Sequence, residues 1–266
     1  MLTEVHVPDD MATVLGLMAS GAKVVAGGTS LMPWLNDHAS PATELVSLRR
    51  AGLGTVQVSG TTARLGAAAT LARVEHDPAL GFLDPVARSI ASVPVRNLAT
   101  VGGNLFAPRP HGDLAVALIA LGARVTVAGQ TGTRELPVEE FLAAGAPAGL
   151  VTDVAFDIPA PGAFRYLKAA RRRFNSASLV TVAATVTETA GAVTRIVVAL
   201  GGVGPRPLRA GAVEAALLGG PLNAETVRAA AEAGLGEIAP ADDAYASAWY
   251  RARVFPVHLR RALLGH

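Results

Sequence analysis

Hydrophobic and polar positions follow two different periods along this chain. Alternation with period two runs through Thr55–Gly60, Ala63–Ala68, Arg124–Val127 and Val151–Ile158, and then through two longer stretches, 179–187 and 194–200. Such alternation reads as half-buried strands. Helical spacing appears at Met11–Ala19, where Asp9 or Asp10 can cap the start and Gly21 close the end. It recurs near 70–76 and 84–92, after Asp113 as a candidate cap, and over Asp242–Leu264, where Pro256 is expected to interrupt the helix. Val5–Pro8 adds a short strand near the start, and Val24–Ala26 a buried apolar one. Strands and helices do not alternate regularly, so the pattern predicts an α+β protein rather than a doubly wound one. Its clearest break is Pro159-Ala160-Pro161-Gly162, which divides the chain into two domains, 1–160 and 163–266. The first divides again near residue 52, into 1–52 and 53–160.

Composition narrows the chemistry. The 266 residues contain no cysteine, which removes thiolate ligation of iron–sulfur clusters, cysteine-type zinc sites and cysteine nucleophiles. It also fits a reducing compartment, and the cytoplasm is the expected location. The longest uncharged apolar run, Leu114–Ala123, falls short of the roughly 20 residues needed to span a bilayer. The N-terminus carries acids and no basic segment, so no signal peptide is expected. Net charge is only +2, and the one dense basic cluster is Arg171, Arg172 and Arg173. Without a wider basic stripe, and with 5% aromatics, nucleic-acid binding is not expected. His111 and Asp113 have no nearby third ligand in the sequence, so no metal site is expected either.

Two segments share one layout: an apolar lead-in, a glycine pair, a small polar side chain and a bulky apolar residue. They are Ala26-Gly27-Gly28-Thr29-Ser30-Leu31 and Thr100-Val101-Gly102-Gly103-Asn104-Leu105. Consecutive backbone N–H groups pointing one way form an anion-binding nest without any cationic side chain. Two such loops facing each other could hold a pyrophosphate, with Thr29, Ser30, Thr100 and Asn104 adding neutral donors. The plainer reading is that each pair is only a tight turn. Neither segment fits the dinucleotide-binding or P-loop fingerprints.

The same residues, AGGTSLMPWL and RNLATVGGNL with HGDLAVALIALGA, resemble the FAD-binding medium subunit of the molybdenum hydroxylases, the carbon monoxide dehydrogenase and xanthine dehydrogenase type. The resemblance continues in order through LVTDVAFDIP, FRYLKAARRR, VALGGVGPRPLRA and the C-terminal DDAYASAWYRARVFPVHLRRAL. It implies a two-part FAD-binding domain of the vanillyl-alcohol oxidase (PCMH) type followed by a small α+β C-terminal domain of the CO dehydrogenase flavoprotein type. Carried over by position, Lys23, Val25, Ala26, Gly27, Gly28, Thr29, Ser30 and Leu31 would form one clasp on the FAD pyrophosphate. Thr100, Gly102, Gly103 and Asn104 would form the other. Asp113 would lie toward the ribityl and flavin side, Leu150 or Val151 over the adenine, and Lys168 beside the flavin.

The resemblance further implies an electron-transfer subunit without a catalytic acid, base or nucleophile. A large subunit would hold the molybdenum cofactor and a small one two [2Fe–2S] clusters, in a dimer of heterotrimers. The alternatives are a free-standing flavin oxidoreductase of the same superfamily and a non-enzymatic interaction domain. Many relatives place acidic residues after the arginine pair, whereas this chain reads Arg173-Phe174-Asn175-Ser176-Ala177-Ser178. A more positive local field would raise the flavin potential and make NAD a less natural acceptor than a quinone, oxygen or another carrier.

Overall fold

The computed structural model describes residues 2–37, 44–107, 112–145, 149–172 and 175–265. Expectations that fall on His111, Arg173 and Phe174 therefore lie outside the described residues. The first unit comprises β1 (Glu4–His6), α1 (Met11–Ala19), β2 (Lys23–Val25), α2 (Leu31–Asn36) and β3 (Glu44–Ser47). Its strands form a parallel sheet in the order β1-β3-β2. Of the two candidate caps for α1, Asp10 serves: its carboxylate accepts from the Thr13 N–H at 2.8 Å. Val14 buries the inner face of α1 against Val46 and Leu48, so a small core forms beneath the sheet.

The second unit begins with β4 (Val56–Ser59) and β5 (Thr62–Gly66), which pair as a hairpin. Five helices follow: α3 (Leu71–His76), α4 (Asp84–Ser89), α5 (Val93–Arg96), α6 (Val101–Asn104) and α7 (Asp113–Ala120). Then come β6 (Arg124–Gly129), β7 (Gly132–Pro137), α8 (Val138–Ala143) and β8 (Leu150–Asp157). The strands make one antiparallel sheet, β4-β5-β8-β6-β7. The stretch around Gly102-Gly103, read from the sequence as a nest-forming loop or a tight turn, instead winds into the single helical turn α6, which the Thr100 hydroxyl caps by accepting from the Gly103 N–H at 3.1 Å.

The last unit holds β9 (Phe164–Ala170), β10 (Ser178–Thr189), β11 (Ala192–Gly201), β12 (Leu208–Arg209), α9 (Gly211–Leu217), α10 (Ala224–Gly234) and α11 (Ala248–Leu264). Its antiparallel sheet runs β12-β11-β10-β9. Side chains alternate by size across that sheet. Val180, Val182, Val186, Val198 and Leu200 pack with α9, α10 and α11, whereas Ala183 and Ala199 belong to the core on the other side. The small residues on that second face let α7 lie directly on β10 and β11. Every residue of α7 from Leu114 to Ala120 is therefore buried between two sheets, which explains an apolar run too short for a membrane. No helix among the described residues is long and apolar enough to cross a bilayer.

Two end signals are corrected. α11 runs through Pro256 without a break, and Asp242 to Ser247 form its capping loop rather than its first turns. The cost of the missing N–H is offset by Phe255 and Leu259, both fully buried on either side of it. Asp113 opens α7 but does not cap it; Gly112 occupies the cap position, and the Asp113 carboxylate is engaged elsewhere.

Candidate FAD site

The loop after β2, the Ala99–Asn104 segment and the start of β8 enclose a cleft of about 520 Å³. Val25, Ala26, Gly27, Gly28, Thr29, Ser30 and Leu31 line one wall, and Thr100, Gly102, Gly103 and Asn104 another. Leu150 and Val151 both line it, so the structure does not choose between them. Trp34, Leu48, Ala67 and Phe106 also line it; Trp34 falls within the AGGTSLMPWL motif and Ala67 within the Ala63–Ala68 alternation, whereas Leu48 and Phe106 belong to no motif or period read from the sequence.

The two glycine pairs approach closely. A Cβ on Gly27 would stand 1.8 Å from the carbonyl oxygen of Leu98, so only glycine lets the first loop rest on the backbone that leads into the second. That backbone is itself pinned. The guanidinium of Arg96, 6% exposed, meets Glu75 at 2.7 Å and donates to the carbonyls of Ile90 and Ala91. The Ala99 carbonyl accepts from Leu71, and Thr100 bridges Thr70.

The two pairs differ in what their amides do. Among the described residues, none of the N–H groups from Gly27 to Leu31 donates to a protein acceptor. Gly28, at φ +71°, turns the chain so that this run follows the cleft wall. In the second pair the donors are spent: Val101 N–H on the Ala69 carbonyl, Gly102 on Ala67, Gly103 on the Thr100 hydroxyl and Asn104 on the Thr100 carbonyl. The symmetrical two-nest expectation is thus corrected, since only the first loop carries free consecutive donors. The second contributes the Asn104 carboxamide, whose Oδ1 is buried without a hydrogen-bond partner.

No charged side chain lines the cleft among the described residues. Lys23 stands outside it, with its ammonium 4.4 Å from the ring centre of Trp34, and so bears on the cleft only through that ring. A free N–H row suits a diphosphate, the apolar walls of Leu48, Trp34 and Phe106 suit aromatic rings, and the unpartnered Asn104 Oδ1 suits a hydroxyl or N–H donor. These residues fit a flavin dinucleotide.

Asp113 and Lys168 are brought to each other, not into this cleft. The Lys168 ammonium meets Asp113 Oδ2 at 2.8 Å and donates to the Ser89 carbonyl at 2.7 Å. Lys168 lines a separate cleft of about 240 Å³ with Ser89, Ala170, Arg171, Arg172 and Ser176. Nearby, the Tyr166 hydroxyl pairs with the Ser89 hydroxyl at 2.8 Å. Burial, and then the charge of Asp113, push the Tyr166 phenol well above its ordinary range.

Comparison with known proteins agrees with this architecture. Residues 2–156 match the family model for the FAD binding domain in molybdopterin dehydrogenase, and residues 165–265 match that for the CO dehydrogenase flavoprotein C-terminal domain. The chain is 30% identical to the 6-hydroxypseudooxynicotine dehydrogenase complex subunit alpha of Paenarthrobacter nicotinovorans, over 97% of this chain and 92% of that one. It is 28% identical to the carbon monoxide dehydrogenase medium chain of Hydrogenophaga pseudoflava, over 98% and 95%. The crystal structure of quinoline 2-oxidoreductase from Pseudomonas putida 86 superimposes with a TM-score of 0.91 at 26% identity, covering 100% of this chain and 96% of that one. The chain belongs to the family of FAD-binding oxidoreductase subunits of the molybdenum hydroxylases, of the carbon monoxide dehydrogenase and xanthine dehydrogenase type.

Proposed function

We propose that this chain is the electron-output subunit of a multi-subunit molybdenum hydroxylase. In this reading a large partner oxidises the substrate at molybdenum, and a small partner relays electrons through two [2Fe–2S] clusters. FAD, when bound, collects two electrons and passes them to an external acceptor. The absence of cysteine agrees with the clusters lying in another polypeptide. It is also compatible with the cytoplasm, where we place the complex, and we read its assembly as a dimer of heterotrimers.

The observation that carries the reading is the free amide row from Gly27 to Leu31 in one neutral cleft that Asn104, with its buried and unpartnered Oδ1, also lines. The amides of Gly28, Thr29 and Ser30 would hold the pyrophosphate, and Asn104 Oδ1 would accept from a hydroxyl or N–H of the cofactor. Leu150 and Val151 would cover the adenine. Asp113 and Lys168 would stand at the flavin end, outside the diphosphate cleft. We take 1–160 as the FAD-binding unit and 163–266 as the C-terminal unit. The test is the visible spectrum of the purified chain before and after FAD addition, with the released cofactor identified. Retained flavin at about one per chain is the expected result, and a chain that takes up none, even co-expressed with its partner subunits, overturns the reading.

A further inference from the structure

Strand alternation sends Thr181 to the α7 side of the C-terminal sheet, whereas its neighbours Val180 and Val182 enter the opposite core. Thr181 is fully buried, so it touches no ligand. Its hydroxyl donates to Asp113 Oδ1 at 2.6 Å, and the other carboxylate oxygen takes the Lys168 ammonium. The Ser89 carbonyl takes a second ammonium proton. An ammonium has three donors, so one remains for the cleft that Lys168 shares with Arg171, Arg172 and Ser176. The chain of contacts joins α4 and α7 of the FAD-binding unit to β9 and β10 of the C-terminal unit.

Two consequences follow from this geometry. The side chains of Asp113 and Lys168 are only 10% and 9% exposed, so their charges act on one another with little screening by water. The positive charge of Lys168 is thereby largely neutralised, and Arg171 and Arg172 carry the net charge of the cleft. Moreover, the direction of the ammonium is set by acceptors that are themselves fixed, one by α4 and one by Thr181.

We propose that Thr181 is a positioning residue for the flavin end of the site: acting through Asp113, it fixes the Lys168 ammonium and maintains the carboxylate that neutralises it. The proposal rests on the functional reading above, in which Lys168 stands beside the flavin. Removing the hydroxyl leaves a buried carboxylate oxygen without its donor, which weakens both the placement and the compensation.

The experiment compares the FAD-loaded wild type with Thr181→Val, Thr181→Ser and Asp113→Asn. It measures FAD dissociation constant, midpoint potential of the bound flavin, and thermal unfolding of the FAD-free chain. T181V should weaken FAD binding about five- to tenfold, less than the full loss of a hydrogen bond to a charged group because the bond lies within the protein and reaches the cofactor only through Lys168. It should also shift the flavin potential upward, and D113N should shift it further because the ammonium is then uncompensated. T181S should restore affinity and potential, since it keeps the hydroxyl. If T181V lowers the unfolding temperature yet leaves affinity and potential at wild-type values, Thr181 only packs and the proposal is overturned. Should T181V not fold, a wild-type potential in D113N overturns it equally. A wild-type chain that binds no FAD defeats the functional reading and this inference together, whereas wild-type binding with indifferent variants defeats the inference alone.

Discussion

Residues 26–31 and 100–105 have the same layout in sequence and opposite roles in the fold. Both place a glycine where a Cβ cannot go: against the Leu98 carbonyl for Gly27, and 2.7 Å from the Ala67 Cβ for Gly102. They part in the fate of their amides. Residues 67–69, just past the end of β5, offer carbonyls to Val101 and Gly102, so the second pair is tied into the protein. No carbonyl among the described residues reaches the amides of Gly27 to Leu31, so the first pair keeps its donors. Glycine pairs thus mark close approach in both places, but only the surrounding acceptors decide which becomes a ligand-facing nest.

The sharpest way to break the comparison is Gly27→Ala. Its Cβ meets backbone rather than a flexible side chain, so the two loops must separate. A loss of about 2–4 kcal/mol in unfolding free energy is expected, at the upper end for a point change, together with loss of retained flavin. Denaturant unfolding and the flavin-to-protein ratio check both. Gly102→Ala should cost less, about 1–3 kcal/mol, because its Cβ would crowd Ala67 at 2.7 Å and beyond instead of meeting a carbonyl oxygen at 1.8 Å. Its effect on FAD affinity should remain smaller than that of G27A; an equal or larger effect would mean that the second pair, not the first, dominates binding.

Asn104 separates binding from folding. Asn104→Leu removes an orphaned buried oxygen, so the FAD-free chain should be as stable as wild type or slightly more so. FAD affinity should nevertheless fall about tenfold, as for one lost hydrogen bond of roughly 1.4 kcal/mol. Calorimetry of both forms would reveal the opposite signs. Lys23→Met, which removes a cation from the face of Trp34, should weaken binding only about two- to fivefold. The smallest effect is expected from pH. No titratable side chain lines the diphosphate cleft among the described residues, so FAD affinity should stay flat from about pH 6 to 8. Titrations across that range would expose any ionisable group acting there.

Much of the scaffold was legible because local chemistry governed it. The Asp10 cap, the span of α1 and the long β10–β11 hairpin all follow from short-range signals that the tertiary fold does not oppose. Two failures share one cause. Pro256 and Asp113 carry strong local signals, and in each case tertiary packing outweighs them: buried Phe255 and Leu259 keep α11 whole, and Lys168 and Thr181 claim the Asp113 carboxylate. Phe106 escaped notice for a different reason. It follows the second glycine pair as a single bulky residue that establishes no period, and only the folded chain turns it toward the cleft.

By itself the sequence determined the α+β class, the longer strands and helices and, through an ordered set of motifs, the family. Those depend on side-chain periodicity, turn residues and residue identity at fixed spacing, which are properties of neighbouring positions. Tertiary structure alone decided which glycine pair keeps its amides, whether Asp113 caps a helix or pairs with Lys168, and which side of the C-terminal sheet receives Thr181. Each of these turns on a hydrogen-bond partner far away along the chain. Ala67 lies 35 positions before Gly102, and Thr181 lies 68 after Asp113. A donor's local sequence shows that it can bond, but its acceptor is set only when distant backbone is packed beside it.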